Sequence, residues 1–119
     1  MALADDSLRR SRAVLKQLCD GVLSHTVLDP GDPWYGGVRC YLDRMIETRG
    51  AEACYAMALI HRETGDSRYL ACARAMVEFL LRSQAANGWW TNDGTSVWRG
   101  ITVFQTMALQ ETYFLLKEI

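Results

Sequence analysis

The chain has 119 residues, of which 50% are hydrophobic and 23% are charged, and its 13 basic and 14 acidic side chains leave a net charge of −1. This balance is typical of one globular domain and excludes an intrinsically disordered chain. The near-neutral charge gives no electrostatic case for binding nucleic acid or an anionic membrane surface. No apolar run approaches the ~20 residues that a membrane span needs, and the charged N-terminus predicts no targeting segment.

Four cysteines are spread along the chain without a C-x-x-C pair: Cys19, Cys40, Cys54 and Cys72. A zinc site needs closely spaced Cys or His ligands, and the two histidines lie far apart in sequence. We interpret the thiols as free and buried, because a reduced cysteine behaves as a small hydrophobic residue. The sequence therefore predicts neither a metal nor any other cofactor. Reduced thiols also favour a cytoplasmic location.

Hydrophobic periodicity predicts four helices and no strand, which makes this an all-α protein. In chain order, the predicted helices are residues 7–25, about 50–64, 67–84 and 101–119. Asp6 and Ser7 supply a cap for helix 1. Gly65 ends helix 2, and Asp66 and Ser67 start helix 3 almost at once.

Two long segments between these helices combine aromatic, acidic and glycine residues. Residues 27–50 contain both prolines and the pair Trp34-Tyr35, and residues 82–100 contain three tryptophans. Proline and glycine interrupt regular structure, so both segments are predicted to be loops. We call residues 27–50 the first loop and residues 82–100 the second loop.

An internal repeat relates the two halves of the chain. TRGAEACYAMAL, from Thr48, aligns in register with WRGITVFQTMAL, from Trp98, through the shared Arg-Gly and Met-Ala-Leu. We therefore divide the single domain, residues 1–119, into two units of about 6–59 and 66–119. Each unit is an amphipathic helix, a loop, Arg-Gly and a more apolar helix. This arrangement predicts that both loops lie at one end of the molecule, and that helices 2 and 4 are the more buried pair.

The stretch RGAEACYAMALIHRETGDSRYLACARAMVEFL resembles the hairpin repeats of six-hairpin glycosidases, particularly unsaturated glucuronyl and rhamnogalacturonyl hydrolases. Arg-Gly before an inner helix and Thr-Gly-Asp-x-x-Tyr-Leu between hairpins carry the resemblance. A second set of residues is similar to the Q-W repeat of terpenoid cyclases: Arg74-Ala75, Phe79-Leu80, Gln84, Gly88 and Trp90. Both families are α/α toroids, which implies two αα-hairpins forming a segment of a toroid. The W-x-D-type and D-x-D-D acidic motifs of these families are absent.

The resemblance implies a partial toroid domain of a carbohydrate-active enzyme, of the glycoside hydrolase or polysaccharide lyase type. Its saccharide site would lie at the aromatic rim that the two loops form. One alternative is a non-catalytic helical-repeat module that binds a ligand or a partner at this rim, and another is a terpenoid-cyclase-like toroid fragment. Two hairpins of a toroid leave apolar flanks, so we expect self-association or a longer chain that covers them.

Asp93 and Glu47 are the candidate catalytic pair, because glycoside hydrolysis takes two carboxyl groups that flank the scissile bond. Tryptophans surround Asp93 in sequence, and apolar rings favour a protonated acid. Glu47 precedes helix 2, where the helix dipole favours a negative charge. The alternative for each residue is a solvated loop acid or a helix cap.

Six further rim residues are candidate substrate contacts: Trp34, Tyr35, Arg49, Trp89, Trp98 and Arg99. Aromatic faces offer flat apolar area to the C–H groups of a sugar ring, and arginine binds a carboxylate such as a uronate in a bidentate fork. The alternative is structural, with each arginine bonding the backbone carbonyls of its own loop. We interpret Trp90, which fits the Q-W pattern, as a packing residue.

Overall fold

A computed structural model describes residues 2–93 and 98–119 of the chain. Its helices are α1 (Ala2–His25), α2 (Cys54–Thr64), α3 (Ser67–Ser83) and α4 (Ile101–Leu116), with a 3₁₀ helix (Thr48–Ala53) leading into α2. The prediction of an all-α protein is confirmed, since the described residues contain only two isolated β-bridges and no strand. None of these helices combines the length and the apolar character needed to cross a membrane.

The boundary between α2 and α3 follows from local sequence. Gly65 ends α2 with φ 72°, a left-handed conformation that glycine adopts without strain, and its N–H donates to the carbonyl of His61 at 2.7 Å. Asp66 then caps α3, because its carboxylate accepts the backbone N–H of Arg68 at 2.9 Å. At the other helix ends, α1 begins at Ala2 rather than at residue 7, and the first turn of helix 2 is 3₁₀ rather than α.

Helix α2 lies at the centre of the molecule and contacts the three other α-helices. It packs most extensively against α3, then against α4, and less against α1. The buried core comprises mainly residues of α2 and α3: Cys54, Met57, Ala58, Ile60, Tyr69, Cys72, Ala73, Met76, Phe79 and Leu80. The packing of these apolar side chains supplies most of the driving force for folding.

The expectation that helices 2 and 4 are the more buried pair is wrong. Seven residues of α3 are buried, but only three residues of α4 are. The reason is that α4 contacts the rest of the described chain mainly through α2 and the 3₁₀ helix, whereas α3 lies between α2 and the first loop. The two helices of the second predicted hairpin, α3 and α4, therefore contact each other little, and α4 packs far more against α2.

The first loop runs close across the surface of α3. A Cβ added at Gly36, whose φ is 85°, would lie 1.9 Å from the backbone oxygen of Ala75, so only glycine allows this approach. Backbone bonds close the loop on itself, with the N–H of Val27 donating to Gly37 at 2.9 Å. The guanidinium of Arg82, at the end of α3, donates to the carbonyl of Tyr35 at 2.6 Å. These contacts hold the Trp34-Tyr35 pair at the C-terminal end of α3.

Candidate functional site

A cleft of about 200 Å³ lies where the two loops meet. Its lining residues come from the first loop, from α3 and from the second loop: Trp34, Ile46, Thr48, Phe79, Ser83, Asn92 and Asp93. Thr48 joins the two loops directly, because its N–H donates to the carbonyl of Asn92 and its hydroxyl donates to the carbonyl of Thr91, both at 2.9 Å. The predicted meeting of the loops at one end of the molecule is therefore observed.

Trp34 forms one wall of the cleft and is held there by its backbone. Its N–H donates to the carboxylate of Asp32 at 2.8 Å, and its carbonyl accepts the N–H of Gly37 at 2.8 Å. The residue as a whole is 50% exposed. The turn therefore presents a large aromatic face to solvent beside the apolar side chains of Ile46 and Phe79.

The amide of Asn92 forms part of the opposite side of the cleft. Its side-chain oxygen is buried and has no hydrogen-bond partner among the described residues. A buried acceptor without a partner is costly, and native proteins satisfy most of them with protein groups, water or ligands. The cleft thus combines an apolar aromatic wall with the polar side chain of Asn92, whose amide oxygen is buried and unpaired among the described residues.

The second loop is built on Trp90, which is a packing residue as interpreted from the sequence. Trp90 is 4% exposed, and its indole N–H donates to the carbonyl of Leu80 at 2.7 Å. Its backbone N–H donates to the hydroxyl of Thr102 in α4 at 3.0 Å. The amide of Gln84 donates to the carbonyl of Gly88 at 2.7 Å, which stabilises the turn before the tryptophans.

The two arginines at matched repeat positions contact aromatic rings, and neither lines the cleft. Arg99 stacks on Trp89 with its guanidinium carbon 3.6 Å from a ring centroid. Arg49 lies 5.1 Å from the ring of Phe104 and forms an ion pair with Glu52 at 3.3 Å. Cation–π contact is favourable and fixes the guanidinium plane. These contacts are not the bonds to loop carbonyls that were the structural alternative for the two arginines.

The candidate residues from the sequence are only partly brought together. Trp34 and Asp93 line the cleft, whereas Glu47 is exposed and precedes the 3₁₀ helix without capping it through its side chain. Trp98 is exposed outside the lining, and Tyr35 is half-buried beneath Arg82. Residues 94–97 of the second loop lie outside the described residues.

Five cleft residues were not identified as site residues from the sequence: Ile46, Thr48, Phe79, Ser83 and Asn92. Thr48 lies beside the repeated Arg-Gly, but nothing in its own residue type indicated a bond to a segment more than 40 positions away. Asn92 could have been identified from the sequence, because it is a polar residue of the second loop next to the candidate Asp93.

Two carboxyl groups outside the cleft have structural partners that lower their pKa. The side chain of Arg68 lowers the pKa of Asp66 to about 2 where α3 begins. Hydrogen bonds from Lys16 and then Tyr69 lower the pKa of Asp20 in α1. Asp20 thereby connects α1 to α3, Asp66 caps α3, and neither lines the cleft. In residues 2–93 and 98–119 there is no group of three or more His, Cys, Asp or Glu that could hold a metal ion.

The chain is similar in sequence to a protein family and to a curated protein. The profile of a family described as the ulvan lyase N-terminal domain matches residues 15–119. A curated protein, the broad-specificity ulvan lyase of Formosa agariphila, is 28% identical over 102 residues, which cover 83% of this chain and 16% of that protein. The chain thus spans a small part of the length of its relative. No solved structure matches the chain significantly.

Proposed function

Because the chain belongs to the ulvan lyase N-terminal domain family, we propose that it is a saccharide-binding domain of a polysaccharide-lyase-type protein, with its glycan site at the cleft between the two loops. The family favours lyase chemistry over the hydrolase chemistry that the resemblance equally allowed. The relative is named for ulvan, so ulvan or a related polysaccharide is the proposed ligand.

The observation that carries the proposal is the half-exposed Trp34 in the wall of a cleft that both loops form. Binding sites for small ligands combine apolar and aromatic walls with a few polar groups that fix orientation. Here Ile46 and Phe79 extend the apolar wall beside the indole. A sugar ring presents C–H groups to such a wall and hydroxyls at its edge.

The polar groups of the cleft support a hydroxylated ligand. The side chain of Asn92 lines the cleft, and its buried oxygen has no partner among the described residues. A small rotation of the amide would bring this unpaired acceptor to a sugar hydroxyl, which would then satisfy it. Ser83 lines the same cleft, but its hydroxyl already donates to the carbonyl of Phe79 at 2.7 Å. The serine oxygen therefore remains as an acceptor for a second ligand hydroxyl.

Asp93 remains the candidate catalytic carboxyl group, because it lines the cleft. Glu47 remains the candidate second group, and this prediction requires its exposed side chain to reach a ligand bound there. The binding-module alternative needs neither group. The two versions of the proposal share the glycan site and differ in whether this chain turns the glycan over.

Saccharide binding is tested by titrating ulvan oligosaccharides into the chain and following amide and indole NMR signals. We expect saturable shifts at Trp34 and Asn92. Trp34→Ala should weaken binding about tenfold, since an aromatic anchor that the ligand covers contributes more than ~1 kcal/mol. Tyr113→Ala is the control, because Tyr113 is an exposed aromatic on α4 outside the cleft. Equal weakening by both variants, or no shift at the cleft, would contradict the proposal.

Turnover is measured on the same samples. A lyase leaves a new carbon–carbon double bond in its product, which absorbs ultraviolet light, whereas a hydrolase does not. Oligosaccharide-dependent shifts with no product favour the binding module. If the chain forms the unsaturated product, Asp93→Asn should abolish it and Glu47→Gln tests the second group.

A further inference from the structure

A second concave surface lies at the C-terminal end of α1 and shares no lining residue with the aromatic cleft. Its volume is about 370 Å³. The charged and titratable residues that line it are His25, Asp32, Arg39 and Arg44. Three of these four come from the first loop, and none was identified as a ligand contact from the sequence.

The pocket has an excess of positive charge. Arg39 lies 3.9 Å from the carboxylate of Asp32, and both side chains are partly exposed. Arg44 forms no ion pair with any residue that the structure describes. Two arginines against one aspartate leave one uncompensated positive charge among these three side chains. Such a concave, partly neutralised basic surface favours an anion.

The backbone positions both arginines in the pocket. The N–H of Arg39 donates to the carbonyl of His25 at 2.9 Å, and an antiparallel bridge pairs Arg39 with Ile46. Residues 40–45 form a tight turn in which the N–H of Arg44 donates to the carbonyl of Cys40 at 2.9 Å. Arg44 has φ 63°, in the left-handed region where glycine is favoured and a side chain is strained. An arginine in this conformation suggests a role for its side chain.

Capping of α1 does not explain the two guanidinium groups. Arginine near a helix C-terminus often bonds the last carbonyls of that helix. Here the carbonyl of Val22 accepts the hydroxyl of Thr26 at 2.8 Å, and the carbonyl of Leu23 accepts the N–H of Thr26 at 3.2 Å. The carbonyl of His25 is bonded by the backbone of Arg39 rather than by its side chain. The guanidinium groups therefore remain available to a ligand.

We propose that this pocket is an oxyanion-binding site, in which Arg39 and Arg44 hold a carboxylate or sulfate group. The planar guanidinium presents donors in a fork that matches both kinds of group. The group can belong to a free inorganic ion or be carried on a saccharide. The inference does not depend on the glycan site in the aromatic cleft, because the two surfaces have separate linings.

The test titrates inorganic sulfate and, separately, glucuronate into the full chain and follows backbone amide signals by NMR. We expect saturable shifts at His25, Thr26 and Arg39 with at least one probe. Arg44→Gly should weaken that binding about tenfold, as expected when a charge-assisted hydrogen bond is lost. The same variant should unfold at an equal or higher temperature than the parent without ligand, because glycine relieves the strained φ.

Two further variants keep the outcome interpretable. Arg62→Gln removes the same charge from an exposed arginine of α2 outside the pocket, and it should leave affinity within about twofold. Arg39→Gln keeps its backbone bond to His25 and should weaken binding even if Arg44→Gly fails to fold.

The choice of probe distinguishes the sources of the anion. Binding of sulfate alone supports a site for tetrahedral anions, and binding of glucuronate alone supports a saccharide-borne carboxylate. Binding of both supports a general oxyanion site. The proposal is overturned if neither probe shifts these amides, or if Arg62→Gln weakens binding as much as the pocket variants do. Shifts confined to Trp34 and Asn92 would overturn it too, while leaving the glycan cleft intact.

Discussion

At the residue scale, the stacking of Arg99 on Trp89 limits which tryptophan can stack on a sugar ring. The guanidinium carbon lies 3.6 Å from a ring centroid of Trp89, so one face of that indole is already covered. Trp90 is buried and has its N–H bonded to Leu80. Trp34 alone lines the cleft among the tryptophans of the described residues. A ring stacked on a sugar must offer a free face, which makes Trp34 the ligand candidate of choice.

The four cysteines differ in their exposure to solvent. Cys19, Cys54 and Cys72 are buried as predicted, whereas Cys40 is exposed, so the prediction of a buried thiol is wrong for Cys40. Burial raises the pKa of all three buried thiols, that of Cys72 to about 11. The thiolate is the reactive form of cysteine, so a raised pKa and burial both protect these residues at neutral pH. The cytoplasmic location expected from reduced thiols stays a prediction.

Alkylation of the native chain at neutral pH should therefore modify Cys40 alone. We expect one fast iodoacetamide adduct by mass spectrometry, which Cys40→Ser removes, and four adducts after unfolding. The parent and the serine variant provide matched controls, since the exposed position tolerates the change. A second adduct that forms as fast as the first would mean that the core opens more readily than its packing indicates.

At the element scale, the position of the cleft depends on the attachment of one loop to the other. Thr48 starts the 3₁₀ helix before α2, is 6% exposed, and bonds the backbone of Thr91 and Asn92 through its hydroxyl and its N–H. On the other side, Arg82 bonds the carbonyl of Tyr35 from the end of α3. The loops are thus held by helices that are themselves packed in the core.

Replacing Thr48 with valine should loosen this attachment while keeping the shape of the side chain. The loss of a partly buried hydroxyl bond to the carbonyl of Thr91 should lower the free energy of unfolding by about 1 kcal/mol, and by more if that carbonyl stays unsatisfied. Urea unfolding measures the change. Saccharide affinity should fall with it, because Thr48 and Asn92 share the cleft.

Thr106→Val is the matched control for this substitution. The hydroxyl of Thr106 donates to the carbonyl of Thr102 within α4, and the residue is exposed. Its removal should change stability by less than ~0.5 kcal/mol, as is usual for surface substitutions. If both variants behave alike, the bond between the loops contributes nothing particular to the cleft.

At the scale of the whole molecule, α4 leaves an apolar surface without a partner in the described chain. Its exposed large side chains are Val103, Phe104, Met107, Tyr113 and Phe114. Residues at equivalent positions of the repeat differ in burial: Met57 in α2 is fully buried, whereas Met107 in α4 is 59% exposed. Contiguous apolar surfaces of this kind mark interaction sites in folded proteins.

We therefore expect the 119-residue chain on its own to self-associate through α4. Sedimentation velocity should show concentration-dependent oligomers, and Met107→Lys should shift the population towards monomer, because burying a lysine in an apolar contact is costly. A parent chain that stays monomeric at every concentration would contradict the expectation.

The molecule is also more extended than a domain of its length usually is. Its radius of gyration is 15.0 Å, against roughly 13.5 Å expected for a compact domain of this size. The first turns of α1 account for part of this, since Leu3 is 89% exposed and Leu8 is also exposed. Two apolar surfaces, one at each end of the chain, thus lack cover within the described residues.

The sequence by itself determined the local features of this protein. Helix positions, the Gly65 and Asp66 boundary, the two loops and the packing role of Trp90 depend on periodicity, capping and turn chemistry within a few residues. Trp34 and Asp93 were identified as rim residues for the same reason, and both line the cleft.

Only the tertiary structure decided which helices are buried and which rim residues meet. The repeat predicts equal burial for α2 and α4, because their sequences correspond. However, burial depends on the neighbouring elements: α2 packs against three helices, whereas α4 packs mainly against α2 and the 3₁₀ helix. Thr48 and Asn92 are polar residues far apart in sequence, and their contact depends on the path of two loops over α3. The pocket of Arg39 and Arg44 was equally hidden, because a strained turn and a bridge to the end of α1 create it.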